Sequence, residues 1–187
     1  AHIQMSEAEW KNRKARRAGK PQVEPLYSME DAQGVLDLFV PCEYHKKIRV
    51  CDGIEIRFVD AGHLLGSSSI EVWLTEEGQE RKIVFSGDVG NLNQPIVRDP
   101  SMVAETDYLV VESTYGDRVH KTRRIDYCRE LSRIFRYTFQ GGGNVVIPSF
   151  AVGRTQEILW FIRQIKEENM LGDFSDFEVY VDSPLAI

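Results

Sequence analysis

Apolar residues take every second position through much of the first half of the chain. Ile54, Ile56 and Phe58 are separated by Glu55 and Arg57, and Ile70, Val72 and Leu74 by Glu71 and Trp73. A period of two is the mark of a strand with one face on a core. Asp52-Gly53 supplies a turn ahead of the first run. Glu76-Glu77-Gly78-Gln79 supplies a hairpin after the second, with residues 82–85 as the return strand. A short strand is expected at 48–51, and an almost wholly apolar one at 108–111, ending at Glu112.

Elsewhere the period lengthens. Residues 2–18 read as a polar helix that Gly19-Lys20-Pro21 ends. Ser28 caps a second helix, with Glu30 and Asp31 in its first turn and Val35, Leu36, Leu38 and Phe39 as its apolar side. After Gly116, Ile125, Cys128, Leu131, Ile134, Phe135 and Thr138 follow helical spacing until Gly141-Gly142-Gly143. A buried strand is expected at 145–148, a helix at 154–168 with Ile158, Leu159, Ile162 and Ile165 inward, and a strand at 177–181. Strand–helix–strand units of this kind imply a parallel sheet with right-handed crossovers. The chain is therefore α/β, with a boundary near Tyr115 between a hairpin-rich half and the opening of an α/β domain.

Composition changes this picture little. The 187 residues are 42% hydrophobic and 28% charged, an ordinary globular balance. No apolar run approaches the roughly 20 residues of a membrane span, and no secretory leader is visible, so a cytoplasmic protein with no membrane partner is expected. Cys42, Cys51 and Cys128 form no paired framework and read as reduced, with burial the expected fate. The net charge of −6 argues mildly against a nucleic-acid binder, although local charge decides that question. The run from Lys11 to Lys20 is basic. Its plain reading is the solvated C-terminal end of a helix, and a nucleic-acid patch is the alternative.

Two stretches carry candidate chemistry. Asp60-Ala61-Gly62-His63-Leu64-Leu65-Gly66-Ser67 and Ser86-Gly87-Asp88-Val89-Gly90 each follow an expected strand and present one metal-ligand side chain, His63 or Asp88. An imidazole and a carboxylate on neighbouring strand-end loops suit zinc, which takes N and O ligands. A hydrogen-bonded loop histidine and a turn-capping aspartate are the plain alternatives. Ser149-Phe150-Ala151-Val152-Gly153-Arg154-Thr155 leads into a helix, whose free N–H groups favour a phosphate, with Arg154 adding a fork of donors. The plain alternative is a strand–helix turn whose Arg154 would pair with a local carboxylate. Ser183 either caps a helix entered through Pro184 or meets a phosphate, and the cap is favoured. Trp73 and Trp160 read as core.

AGHLLGSSS, FSGDVGN, VVESTYGDRVH, VVIPSFAVGRTQE and VDSPLA occur in this order. On these motifs the chain resembles the metallo-β-lactamase-fold nucleases that carry an inserted β-CASP domain. IQMSEAEWKNRK and PLYSMEDA look most like the bacterial branch. The resemblance implies the second half of a metallo-β-lactamase αββα sandwich over residues 1–115, then the start of a parallel-sheet β-CASP domain over 116–187. It implies two zinc ions per intact site, His63 ligating one and Asp88 bridging both. Glu112 then supports the site, in some members by hydrogen bonding a histidine that donates a proton to the leaving group, and a strand-end glutamate satisfied by backbone amides is the plain alternative. The implied reaction is hydrolysis of single-stranded RNA by a metal-activated water, with Asp88 and Glu112 as catalytic residues and Ser149, Arg154 and Ser183 as substrate contacts. His120 falls where some members carry histidine and reads as a domain-junction residue.

The family's His-x-His-x-Asp-His cradle is absent, and His2, His45 and His120 show no ligand spacing. Two ligands are fewer than zinc normally uses, so the chain alone is expected to bind metal poorly and to hydrolyse nothing. Both ends read as those of a fragment: the start lies inside a helix and the last residues stop where a helix opens. A non-catalytic scaffold of an RNA-processing complex, a DNA-directed nuclease and a small-molecule hydrolase such as a thioesterase stand as alternatives. A homodimer is left open.

Overall fold

A computed structural model of the chain describes residues 1–119, 125–183, 185 and 186. They form two compact units, Ala1–Cys42 and Glu43–Ile187. His120 and Pro184, read above for a junction and a helix start, lie outside the described residues.

In the first unit, helix α1 (His2–Arg17) carries Lys14, Arg16 and Arg17 in its last turn, where cations meet the negative end of the helix dipole. The Asn12 side-chain amide donates to the Val23 carbonyl and accepts from the Val23 N–H, both at 2.8 Å, which clips the following segment to the helix. Helix α2 (Met29–Gly34) opens on a reciprocal capping box. Ser28 Oγ accepts the Asp31 N–H at 3.1 Å, and Asp31 Oδ2 accepts the Ser28 N–H at 2.8 Å. The expected apolar side does not form. Beyond Gly34 the helix tightens into a 3-10 turn over Val35–Leu38, and Val35, Leu36, Leu38 and Phe39 are all exposed. In a 3-10 turn only residues three apart eclipse, so Val35 and Leu38 share a side that Leu36 does not join.

The second unit is built on one mixed sheet in the order β1 (Ile48–Cys51), β2 (Ile54–Asp60), β3 (Ser68–Glu76), β4 (Gln79–Phe85) and β5 (Tyr108–Val110). The first four strands form an antiparallel meander, and β5 joins β4 in parallel. The β3–β4 turn is Glu77-Gly78, both at positive φ (50° and 77°), the geometry whose twist suits a two-residue hairpin. Register sets the faces. Ile56 pairs with Val72 and Val72 with Ile83, so one face is apolar. Arg57 pairs with Glu71, and Trp73 with Lys82, on the other. That second face also carries Val59 and Val84, both buried, so Trp73 lies beside buried residues without being fully buried itself. It is half-buried, with the Lys47 Nζ 4.3 Å from its ring centre and Arg57 and Lys82 each at 5.3 Å.

Helix α3 (Tyr127–Gln140) starts on Asp126, whose side chain accepts the Arg129 N–H, and stops at Gly141. Helix α4 (Arg154–Glu167) packs against it. Phe135, Ile162, Ile165 and Leu171 form the buried cluster between them, ringed by Leu131, Phe139, Ile158 and Phe177. The strands expected at 145–148 and 177–181 are not formed, and neither is the parallel sheet they would begin. Both segments instead line a cavity of about 1050 Å³ floored by Phe135, Ile158 and Ile162. Val146 and Tyr180 are 88% and 82% exposed. A strand exists through its neighbour's hydrogen-bond ladder, and neither segment has one among the described residues.

None of the three cysteines is paired, but Cys42 and Cys51 are exposed, contrary to the expected burial. Cys42 follows the exposed apolar run that ends the first unit, and Cys51 lies on edge strand β1, which pairs on one side only. Cys128 is half-buried beside Gln164, and burial pushes its thiol up from its ordinary value. Among the described residues no helix is long and apolar enough to cross a membrane.

Candidate functional site

The loop after β2 is closed by Ser67. Its Oγ accepts the N–H of His63 at 3.1 Å and of Leu64 at 3.0 Å, and its own N–H donates to the Leu64 carbonyl at 3.0 Å. Tyr44 Oη donates to the Ser67 carbonyl at 2.9 Å and ties the loop to the segment before β1. The His63 side chain is left exposed on this closed loop.

The loop after β4 lies directly against it. The Gly90 N–H donates to the Ala61 carbonyl at 2.8 Å. A Cβ on Gly90 would stand 1.7 Å from the Gly62 carbonyl oxygen, so no other residue fits that crossing without moving a backbone. Gly62 is constrained too: its φ is +67°, and a Cβ there would meet Pro100 and the Arg98 carbonyl at 2.7–2.9 Å. Asp88, two residues before the crossing, is exposed as His63 is.

Glu112 joins the pair from the end of β5. Its N–H donates to Ser86 Oγ at 3.0 Å, and Ser86 donates its own N–H to the Val110 carbonyl at 2.9 Å. The carboxylate accepts the Val89 N–H at 2.6 Å on one oxygen and Thr114 Oγ1–H at 2.6 Å on the other. These donors, Thr114 first, hold the Glu112 carboxyl below its ordinary value, and the positive charge of a protonated His63 acts in the same direction. Glu112 is thereby fixed as an acceptor beside the Asp88 loop.

The segment before α4 reaches the same place. Gly153 has φ +86°, and a Cβ on it would lie 2.4 Å from Leu64 Cδ2, so the 149–155 loop rests on the His63 loop. Ser149 Oγ and Thr155 Oγ1 are 2.9 Å apart, and Thr155 Oγ1 donates to the Phe150 carbonyl. Arg154 Nη1 pairs with Glu157 at 2.6 Å, one turn along α4. Ser183 accepts the Leu185 N–H at 3.4 Å on its Oγ, and it lines the cavity that Ser149 and Thr155 also line.

The arrangement brings His63, Asp88 and Glu112 onto three adjoining loops, with the Ser149 loop behind them. It does not complete a metal site: among the described residues no group of three or more histidine, cysteine, aspartate or glutamate side chains is disposed to hold an ion. Two donors fall below the three or four that zinc takes. Sequence reasoning missed Ser67, Ser86 and Thr114, which orient the loops. Their only sequence signal is a hydroxyl residue within a few positions of His63, Asp88 or Glu112.

No protein-family model matches the chain. It is 36% identical to ribonuclease TTHA0252 of Thermus thermophilus over 87% of its own length and 35% of that protein's. It is 33% identical to an RNase J-like protein of Methanocaldococcus jannaschii, over 85% of the chain and 37% of that protein. Endoribonuclease YSH1 of Eremothecium gossypii is 34% identical over 76% of the chain and 18% of its own length. The chain thus spans about a third of the length of the first two relatives. With five motifs in the family's order and relatives from bacterium to yeast, the chain belongs to the β-CASP family of metallo-β-lactamase-fold proteins.

Proposed function

We propose that this chain is one part of a metal-dependent nuclease that hydrolyses single-stranded RNA, residues 1–115 belonging to its metallo-β-lactamase portion and 116–187 to its β-CASP portion. The observation that carries the reading is the crossing of Gly90 on Gly62, which holds the His63 and Asp88 loops together and seats Glu112 on the Val89 amide. The relatives named as ribonucleases support RNA as the substrate. A bound zinc pair would supply a hydroxide near neutral pH and screen charge on the phosphoryl oxygens. His63 and Asp88 fit such ions as ligands only when further donors join them, because the two alone are too few. Asp88 and Glu112 are assigned catalytic roles, Glu112 orienting a proton donor. Ser149 and Ser183 are assigned to substrate phosphate. Arg154 joins them by leaving Glu157, a pair whose guanidinium end is open to solvent.

The test uses a longer protein that contains this chain. It should carry about two zinc ions by elemental analysis and cleave labelled single-stranded RNA. His63→Ala and Asp88→Ala should each lower bound zinc and cut the rate at least 100-fold, the scale of losing a metal-site residue. Full zinc content and cleavage in both variants would overturn the assignment. A longer protein with neither zinc nor cleavage would be a scaffold.

A further inference from the structure

Helix α3 turns a row of arginines to solvent that none of these loops uses. Arg129, Arg133 and Arg136 stand at i, i+4 and i+7, which places them one above another on a single face. With Ser132, Tyr137, Gln140 and Met170 they line an open cavity of about 380 Å³. Arg129 has no carboxylate within ion-pair distance among the described residues. Among the described residues Arg133 meets only Glu130, at 3.2 Å, in an exposed pair that exchanges partners at little cost. Arg136 gives one donor to the Met170 carbonyl at 2.7 Å and keeps others of its five. Tyr137, on the same cavity, is 82% exposed.

The charge is local. The chain has a net charge of −6, yet α3 holds three arginines, no lysine and one acid, Glu130. A basic stripe on an otherwise acidic protein is the electrostatic footprint of a polyanion. Cations one helical turn apart meet a ligand whose charges also repeat along a flexible chain. An exposed aromatic ring beside them is the other half of a sequence-tolerant single-strand site, since every base has a face to stack.

We propose that the Arg129–Arg133–Arg136 face of α3 is a docking track for the phosphate backbone of single-stranded RNA, with Tyr137 stacking on one base. The proposal rests on the RNA reading above and deepens it. The track's contribution is affinity and salt dependence.

The experiment is fluorescence anisotropy of this chain with a labelled oligouridylate across a salt series. Each phosphate contact on a single strand contributes about 0.7 to the slope of log K against log salt. Arg129→Ala combined with Arg133→Ala should flatten that slope by about 1.4 and weaken binding several-fold. Tyr137→Ala should weaken binding with the slope unchanged. Unchanged circular dichroism verifies that each variant folds. Wild-type affinity and slope in the double variant would overturn the track and assign the stripe to another partner, while binding by the unaltered chain would still support the RNA reading. If the unaltered chain shows no salt-dependent RNA binding, the track falls, while the RNA reading is decided separately by cleavage in the longer protein.

Discussion

Glu71 is 1% exposed, and it keeps its charge because of what its neighbours on the sheet donate. Arg57 grips one oxygen through Nε and reaches the other through Nη2 at 3.0 Å, and Lys82 Nζ lies 2.7 Å from that second oxygen. Burial raises the carboxyl's pKa, but the hydrogen bonds and charges of Arg57 and Lys82 outweigh it, and the net direction is downward from 4.5. A depressed carboxyl contributes stability that is present above its unfolded pKa and is lost as pH falls through the folded one. The melting temperature should therefore drop on acidification below about pH 4.5, and Glu71→Gln should lack that component of the drop. Glu71→Ala strands two cations and should cost roughly 3 kcal/mol, the lower end for a broken buried pair because Arg57 is partly solvated. A urea midpoint series of the three proteins checks both. In the sequence Glu71 is simply one residue of a strand that alternates. Its burial follows from register, which sets Arg57, Trp73 and Lys82 around it.

At the scale of elements, the legible parts were those with internal repetition. The strands of the meander and the helices α1, α3 and α4 follow from periods of two and 3.6, and the Glu77-Gly78 hairpin from turn chemistry. The segments 145–148 and 177–181 have strand composition but no ladder, since pairing is a property of two segments and not of one. That the His63 and Asp88 loops are neighbours was read from their strand-end positions, but the contact that joins them was hidden. Both glycines were visible, but their contact is a crossing between residues 28 positions apart. Gly90→Ala should cost about 1–3 kcal/mol, because its Cβ would stand 1.7 Å from the Gly62 oxygen and a backbone has to move. Gly66→Ala is the control. Nothing lies within 4 Å of its Cβ, so it bears only the strain of φ +84°, about 1–2 kcal/mol. In amide spectra the Gly90 variant should shift both the His63 and Asp88 signals, and the Gly66 variant those of the His63 loop alone. Equal perturbation by the two would show that the crossing does not hold the loops.

For the whole molecule, the consequence is that ligand geometry and ligand number part company. The crossing, the Ser67 and Ser86 hydrogen bonds and the seated Glu112 hold together the loops that carry His63 and Asp88. A prepared pair still cannot hold zinc tightly, because coordination energy grows with the number of donors and two leave half a tetrahedron to water. Ligand-linked stability measures this directly: a ligand at 100 times its dissociation constant adds about 2.7 kcal/mol, and one far below it adds nothing. Micromolar zinc should therefore leave the melting temperature of this chain unchanged, and His63→Ala should behave alike. In a longer protein that supplies the remaining donors the same zinc should raise it by several degrees, and His63→Ala should abolish the rise. A strong zinc-dependent shift in the chain alone, lost in His63→Ala, would mean that the described loops already make a full site, and the half-site account would be wrong.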